Sequence, residues 1–277
     1  MISKNGNGKE KAIVELKDIV KSFPVGSDEI TILHGISLNI HQGEFVSIVG
    51  PSGNGKSTLL NMVTGIDRPS DGKVIVTGRP VHAMSENELA KWRGQQVGII
   101  FQFFQMLPSL SILQNVVLPM EFAKKFGRSE RRERAMGLLD MVGLADQANK
   151  LPSMVSGGEQ QRAAIARALA TDPPLLIADE PTGNLDAKTA GQVFDLFMKL
   201  IEEQGKTMLM VTHDQELADR IPRKVEIVNG RIAYDSRPQT LATVPATSIN
   251  GGVIETPSNG ISRGIFNGQL VPNSLTV

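Results

Sequence analysis

The sequence has no cysteine, a single tryptophan, a single tyrosine and only 4% aromatic residues, and its 29 Lys+Arg are cancelled by 29 Asp+Glu over 277 positions. Without cysteine there is no disulfide, no thiolate nucleophile and no Cys-ligated zinc. Zero net charge and a pI near 6.9 leave no cationic excess to neutralise a phosphate backbone, so no nucleic-acid partner is expected. A long apolar run is also missing. The uncharged stretch 94–120 contains Gln95, Gln96, Gln102, Gln105, Gln114 and Asn115, and Pro108 and Pro119 interrupt it, so it falls short of the roughly 20 apolar residues of a membrane helix. Residues 1–11, rich in Gly, Asn and Lys, lack the roughly 7 to 15-residue apolar segment of a secretory signal and are read as a flexible N-terminus. No export is expected, and no His or Cys spacing suggests a transition-metal site.

Between Ala12 and Arg237, short apolar runs alternate with helical patterns: Glu44–Val49, Val74–Val76, Val97–Phe101, Leu175–Ala178, Thr207–Val211 and Lys224–Val228. This alternation reads as an α/β fold with a largely parallel sheet. Asn229-Gly230, between two β-prone runs, predicts a type I′ hairpin and an antiparallel pair at the end of the sheet. From about Leu110 to Ala170 the pattern is helical, with one helix led in by Ser129 and another opening at Ser156, so a helical lobe interrupts the sheet. The charges from Lys124 to Arg134 are broken by Glu130 and Glu133 and read as a solvated helix face. From about Gln239 onward Ser, Thr, Asn, Gly and Pro predominate, which reads as a low-complexity tail.

The strongest local signal is Gly50-Pro51-Ser52-Gly53-Asn54-Gly55-Lys56-Ser57-Thr58, placed between a buried-strand pattern and an apolar helix. It fits the phosphate-loop pattern in the context that pattern requires. Its glycines let backbone N–H groups form a nest, the helix N-terminus adds positive potential, Lys56 supplies a full charge, and Ser57 offers a hydroxyl to Mg²⁺. Farther on, Leu175–Ala178 ends in Asp179 and Glu180. Two acids at a buried strand end need a compensating cation, and neighbours in a strand face opposite ways; Asp179 is therefore expected at magnesium and Glu180 at the attacking water. His213 follows the strand pattern Met208–Val211, at the sheet edge where α/β folds collect ligands, within reach of a terminal phosphate.

Ser156-Gly157-Gly158-Glu159 is a capping box at the head of an alanine-rich helix. Gly157 and Gly158 each weaken that helix by about 1 kcal/mol relative to Ala, which makes sense if something approaches the backbone closely, and a phosphate is one candidate. A second phosphate-binding helix end beside a single phosphate loop would be reconciled by two copies of the chain arranged head to tail.

Taken together these segments resemble the ATP-binding cassette ATPases, over Ala12 to Tyr234. Gly50–Thr58 resembles the Walker A loop, Val155–Glu159 the signature loop and Leu175–Glu180 Walker B. Asn184-Leu185-Asp186 resembles the D-loop, Gln102 the Q-loop glutamine and His213 the switch histidine. The resemblance implies a P-loop NTPase (RecA-like) core with an antiparallel β subdomain and an inserted helical subdomain at about 102–171. The whole would span 12–236, with 237–277 as the tail. It further implies that ATP is sandwiched between the Walker motifs of one subunit and the Ser156 loop of another. Lys56, Glu180 and His213 would act in catalysis, Ser57, Gln102 and Asp179 at Mg²⁺, and Asp186 at the nucleotide interface.

Glu88-Leu89-Ala90-x-x-Arg93, Val97–Gln102 and Asn115-Val116-x-Leu118-Pro119 are most similar to bacterial lipoprotein-release, macrolide-export and cell-division ATPases, which serve separate membrane subunits. Phe23 stands where that family usually has an adenine-stacking Tyr, and Val155 and Glu159 replace the commoner Leu and Gln. Phe keeps the π face, so stacking is expected to survive. Phe103, Phe104, Met106 and Leu107 form either a docking patch for a membrane permease beside Gln102 or part of the helical lobe's core. The expected protein is a homodimeric ATPase subunit, peripheral on the cytoplasmic face of the inner membrane and coupled to export or extraction of a lipophilic substrate. The alternatives are an ATPase of a cell-division complex that controls wall hydrolases, and a soluble cassette ATPase of DNA repair or translation. The last is disfavoured by the zero net charge and the single cassette.

Overall fold

The computed structural model describes residues 12–237; the expectations of a flexible start over 1–11 and of a low-complexity tail lie outside the described residues. The strands are β1 (Ala12–Val25), β2 (Asp28–His41), β3 (Phe45–Val49), β4 (Asp71–Val76), β5 (Arg79–Pro80), β6 (Val97–Ile100), β7 (Leu175–Asp179), β8 (Thr207–Val211), β9 (Arg223–Val228) and β10 (Arg231–Asp235). The helices are α1 (Lys56–Thr64), α2 (Glu86–Gln96), α3 (Ile112–Phe122), α4 (Arg128–Met141), α5 (Gly157–Leu169), α6 (Ala187–Gln204) and α7 (Gln215–Asp219).

A six-stranded sheet in the order β10-β9-β3-β8-β7-β6 is parallel except for the β9–β10 hairpin. Strands β3, β7 and β8 are near-continuous apolar runs, β3 broken only by the buried Ser47, because both faces are covered. Leu176, Ala178, Met208 and Met210 face the core shared with α3 to α6, where Phe194 and Phe197 are fully buried; each such phenylalanine contributes about 1.5–3 kcal/mol over an exposed one. Leu175, Ile177, Leu209 and Val211 face the opposite way, into a core with α1, α2 and a four-stranded antiparallel sheet, β2-β1-β4-β5. The run Val74–Val76, grouped by sequence with the parallel strands, lies instead in this second sheet, paired antiparallel with β1.

Helices α3, α4 and α5 fall between β6 and β7, as the helical lobe requires. Helix α4 opens at Arg128, before the expected Ser129 lead-in, because the Glu130 carboxylate accepts from the Gly127 N–H at 3.2 Å and closes the first turn. The expectation of a fully solvated basic face on 124–134 is also corrected. Lys125 Nζ donates to Thr171 O at 2.6 Å and Arg134 Nε to Ala170 O at 2.8 Å. These cations satisfy carbonyls at the end of α5, which has alanine rather than glycine at its cap, and they oppose its negative dipole end.

Candidate functional site

The chain leaves β3 at Val49 and turns through Gly50, whose φ is 137° and whose missing Cβ would overlap the Ile227 carbonyl of β9. It enters α1 at Gly55, which has φ 92° and offers no side-chain cap. The first turn of α1 thus keeps backbone donors that its own sequence does not satisfy. Lys56 is 5% exposed, and its Nζ donates to Gly50 O and Pro51 O at 2.9 Å each. Burial lowers the pKa of Lys56, against the opposing pull of Glu180 and Asp179. A poorly hydrated cation beside open backbone donors suits a polyphosphate.

Parallel pairing of β7 with β8 sets the other wall. Asp179 is opposite Val211, and Ser57 Oγ donates to Asp179 Oδ1 at 3.2 Å. Burial raises the Asp179 pKa, with Ser57 and Lys56 opposing that shift and the nearby Glu180 adding to it. Glu180 has φ 49°, uncommon for a residue with a side chain, and is held there by its N–H to Val211 O (3.0 Å) and by Gly183 N–H to its own carbonyl (3.1 Å). The turn carries its carboxylate to His213, whose Nε2 lies 2.6 Å from Glu180 Oε1. Sequence singled out these two residues separately; their direct pairing follows from the adjacency of β7 and β8.

Phe23, Ile32, Ser52, Gly53, Gly55, Lys56, Ser57, Thr58, Glu180 and His213 line one cleft of about 500 Å³. Phe23 and Ile32 supply an apolar end, and the loop and charged groups supply the remainder. Ile32 was not foreseen, since nothing in the sequence places β2 against the phosphate loop; that contact is made through Gly55, whose added Cβ would lie 2.6 Å from Leu33 Cδ2 and 3.2 Å from Ile32 Cγ2. Asn54 braces the loop from within, its Nδ2 donating to Ser52 O at 3.1 Å, while its Oδ1 accepts from the Asn229 N–H.

The remaining sequence-singled residues stand elsewhere. Ser156 caps α5 in the expected box, accepting from the Glu159 N–H at 3.3 Å while the Glu159 carboxylate accepts from the Ser156 N–H at 2.7 Å. Ser156, Gly157, Gly158 and Glu159 are not among the residues lining the cleft. Gly158 has a reason of its own: a Cβ there would come 2.7 Å from Thr189 Cγ2 of α6. Asp186 caps α6, accepting from Thr189 N–H at 3.1 Å and Thr189 Oγ1 at 2.6 Å, bonds that lower its pKa. Gln102 is tied by its carbonyl to Asn184 Nδ2 at 3.1 Å and stands against Gly183. The apolar group after it divides: Phe103 is 67% and Leu107 45% exposed, whereas Met106 packs on the core. Near them, Phe101, Leu107, Leu118, Pro119 and Phe122 line a groove of about 680 Å³.

A glycine loop between a buried parallel strand and a helix, facing a strand that ends in paired acids, defines a P-loop nucleoside triphosphatase. The family model described as ABC transporter matches residues 33–183. The chain is 44% identical to the lipoprotein-releasing system ATP-binding protein LolD 1 of Chlorobium chlorochromatii over 84% of this chain and 95% of that protein. It is 46% identical to an uncharacterized ABC transporter ATP-binding protein of Thermotoga maritima, over 80% of this chain and 94% of that one. The dimeric, post-hydrolysis structure of the MJ0796 cassette bound to ADP and Pi, a protein of Methanocaldococcus jannaschii, is similar with a TM-score of 0.75 and 42% identity, covering 80% of this chain and 97% of that chain. The chain therefore belongs to the ABC transporter ATP-binding family: it is the ATP-binding subunit of such a transporter, and its activity is ATP hydrolysis.

Proposed function

We propose that residues 12–236 form a cassette that works as a homodimer, each ATP lying between the cleft of one subunit and the Ser156 loop of the other. The observation that carries this reading is the separation within one chain. The cleft gathers the phosphate loop, Glu180 and His213, while Ser156 and Gly157 head α5 outside that lining, exposed to solvent. The likeness to a dimeric cassette bound to ADP and Pi supports it.

In this arrangement the Gly50–Thr58 backbone and Lys56 hold the β- and γ-phosphates, and Phe23 stacks the base. Ser57 Oγ and Asp179 Oδ1, 3.2 Å apart at the head of α1, are the hard oxygen donors that suit Mg²⁺, with Gln102 as a further ligand by resemblance. Bound there, the ion supplies charge neutralisation at the β- and γ-phosphates. Glu180 accepts a proton from the attacking water as that oxygen bonds the γ-phosphorus and the bond to the bridging oxygen breaks, its electron pair leaving with ADP. His213 orients the Glu180 carboxylate, and Asp186 lies at the subunit seam.

The membrane partner docks in the groove beside the Gln102 loop, and the subunit sits peripherally on the cytoplasmic face of the inner membrane. Among the described residues no helix is long and apolar enough to cross a membrane. The similarity to proteins named LolD supports export or extraction of a lipophilic substrate. Glu180→Gln tests the chemistry: it is expected to bind MgATP, accumulate as a dimer in sedimentation, and lose at least about 100-fold in turnover. Undiminished turnover would reject Glu180 as the base.

A further inference from the structure

Phe23 is 37% exposed near the end of the β1–β2 hairpin, and unlike tyrosine it has no hydroxyl with which to fix its ring. Something else must hold the ring if it is to serve as a platform. Lys21 lies two residues earlier on β1, just before a register shift in its pairing with β2. Its Nζ stands 4.7 Å from the centre of the Phe23 ring. Lys21 does not line the cleft, and its side chain is only 11% exposed. The ammonium is fixed from beneath by Asp67 Oδ1 at 2.7 Å and Arg68 O at 2.8 Å. Asp67 in turn follows the end of α1, its N–H donating to Asn61 O at 3.2 Å. A well-hydrated lysine would gain little from an aromatic face; one pinned and stripped of most of its water gains considerably more.

We propose that Lys21 is a positioning residue for the nucleotide base. Its cation supports the Phe23 ring and, through Asp67, ties that platform to the far end of the helix whose near end carries the phosphate loop. Base and triphosphate are thereby held at a fixed spacing by a single covalent and ionic path, Phe23 to Lys21 to Asp67 to α1. This rests on the reading of Phe23 as the base platform, and the experiment separates the two.

The full chain and its Phe23→Ala, Lys21→Gln and Lys21→Arg variants, with the Lys21→Gln/Phe23→Ala double variant, are titrated with ATP and with tripolyphosphate, and each is melted thermally. Glutamine keeps a donor for Asp67 and Arg68 but removes the cation. The expected result is a loss of ATP affinity of about two- to tenfold for Lys21→Gln, with tripolyphosphate binding unchanged. Lys21→Arg should restore ATP binding, and Lys21→Gln should add nothing once Phe23 is alanine. If Phe23→Ala is selective for ATP but Lys21→Gln is silent, weakens both ligands equally, or adds fully to Phe23→Ala, the role of Lys21 is overturned alone. If Phe23→Ala weakens both ligands equally, the base platform falls and the role of Lys21 falls with it.

Discussion

Burial withdraws water from both Asp179 and Lys56: the acid is pushed towards its protonated form and the base towards its neutral one. The site is thus kept at some expense to the fold. For Asp179 the sign follows from linkage. With a native pKa above the unfolded value, the folded state holds the proton more tightly, so its contribution to stability falls as pH climbs through the carboxylate range and is fully lost above the native pKa. Asp179→Asn should therefore gain stability relative to the parent as pH rises from about 4 to about 8, while hydrolysis is lost. Thermal melts across that range check it; a gap that stays flat or narrows towards high pH would contradict it. Most of the candidate site's membership was legible at this scale, because Lys56 and Ser57 open the helix after the glycine loop, and Asp179 and Glu180 stand at the end of β7. The Glu180–His213 contact and the Lys21–Phe23 contact were not, since each depends on where a neighbouring backbone places a side chain.

At the scale of elements, the closing hairpin has more to do than end a sheet. Asn229 and Gly230 take φ values of 48° and 68°, the two positive angles its sequence predicts. The turn also touches the phosphate loop and β2: the Asn229 N–H reaches Asn54 of the loop, and Gly230 O accepts from His34 N–H of β2 at 2.9 Å. A Cβ on Gly230 would overlap the Ile32 carbonyl. Gly230→Ala should cost about 1–3 kcal/mol in denaturant unfolding and raise the KM for ATP, whereas Asn229→Gly, which keeps the positive φ, should stay close to the parent. Equal stability of the two variants would mean that the packing is not tight. The parallel strands were readable as apolar runs, and the turn from its Asn-Gly pair. The antiparallel β subdomain was implied by the resemblance, but strands β1 and β2 were not read from their residues; in β1, Lys17, Asp18 and Lys21 interrupt the alternation and a register shift between Leu16 and Ile19 puts it out of phase. The caps that Lys125 and Arg134 make on α5 were equally hidden, as a basic stretch looks the same whether it faces solvent or carbonyls.

For the whole molecule, surfaces outside the cleft become the working parts. Phe122 is 78% exposed at the rim of the apolar groove and touches none of the nucleotide groups. Phe122→Asp is expected to leave ATP hydrolysis by the isolated subunit unchanged and to reduce its recovery with membranes; full recovery would place the permease contact elsewhere. The Ser156 loop makes the stronger demand, since in the proposed dimer it completes the site of a second copy of the chain. The most direct measurement is ATP turnover in an equimolar mixture of Lys56→Ala and Ser156→Arg chains, each inactive alone. Random pairing gives a statistical half of dimers one whole site, so about a quarter of the parent rate should return. A mixture no faster than either variant by itself would show that one chain does not complete the other's site.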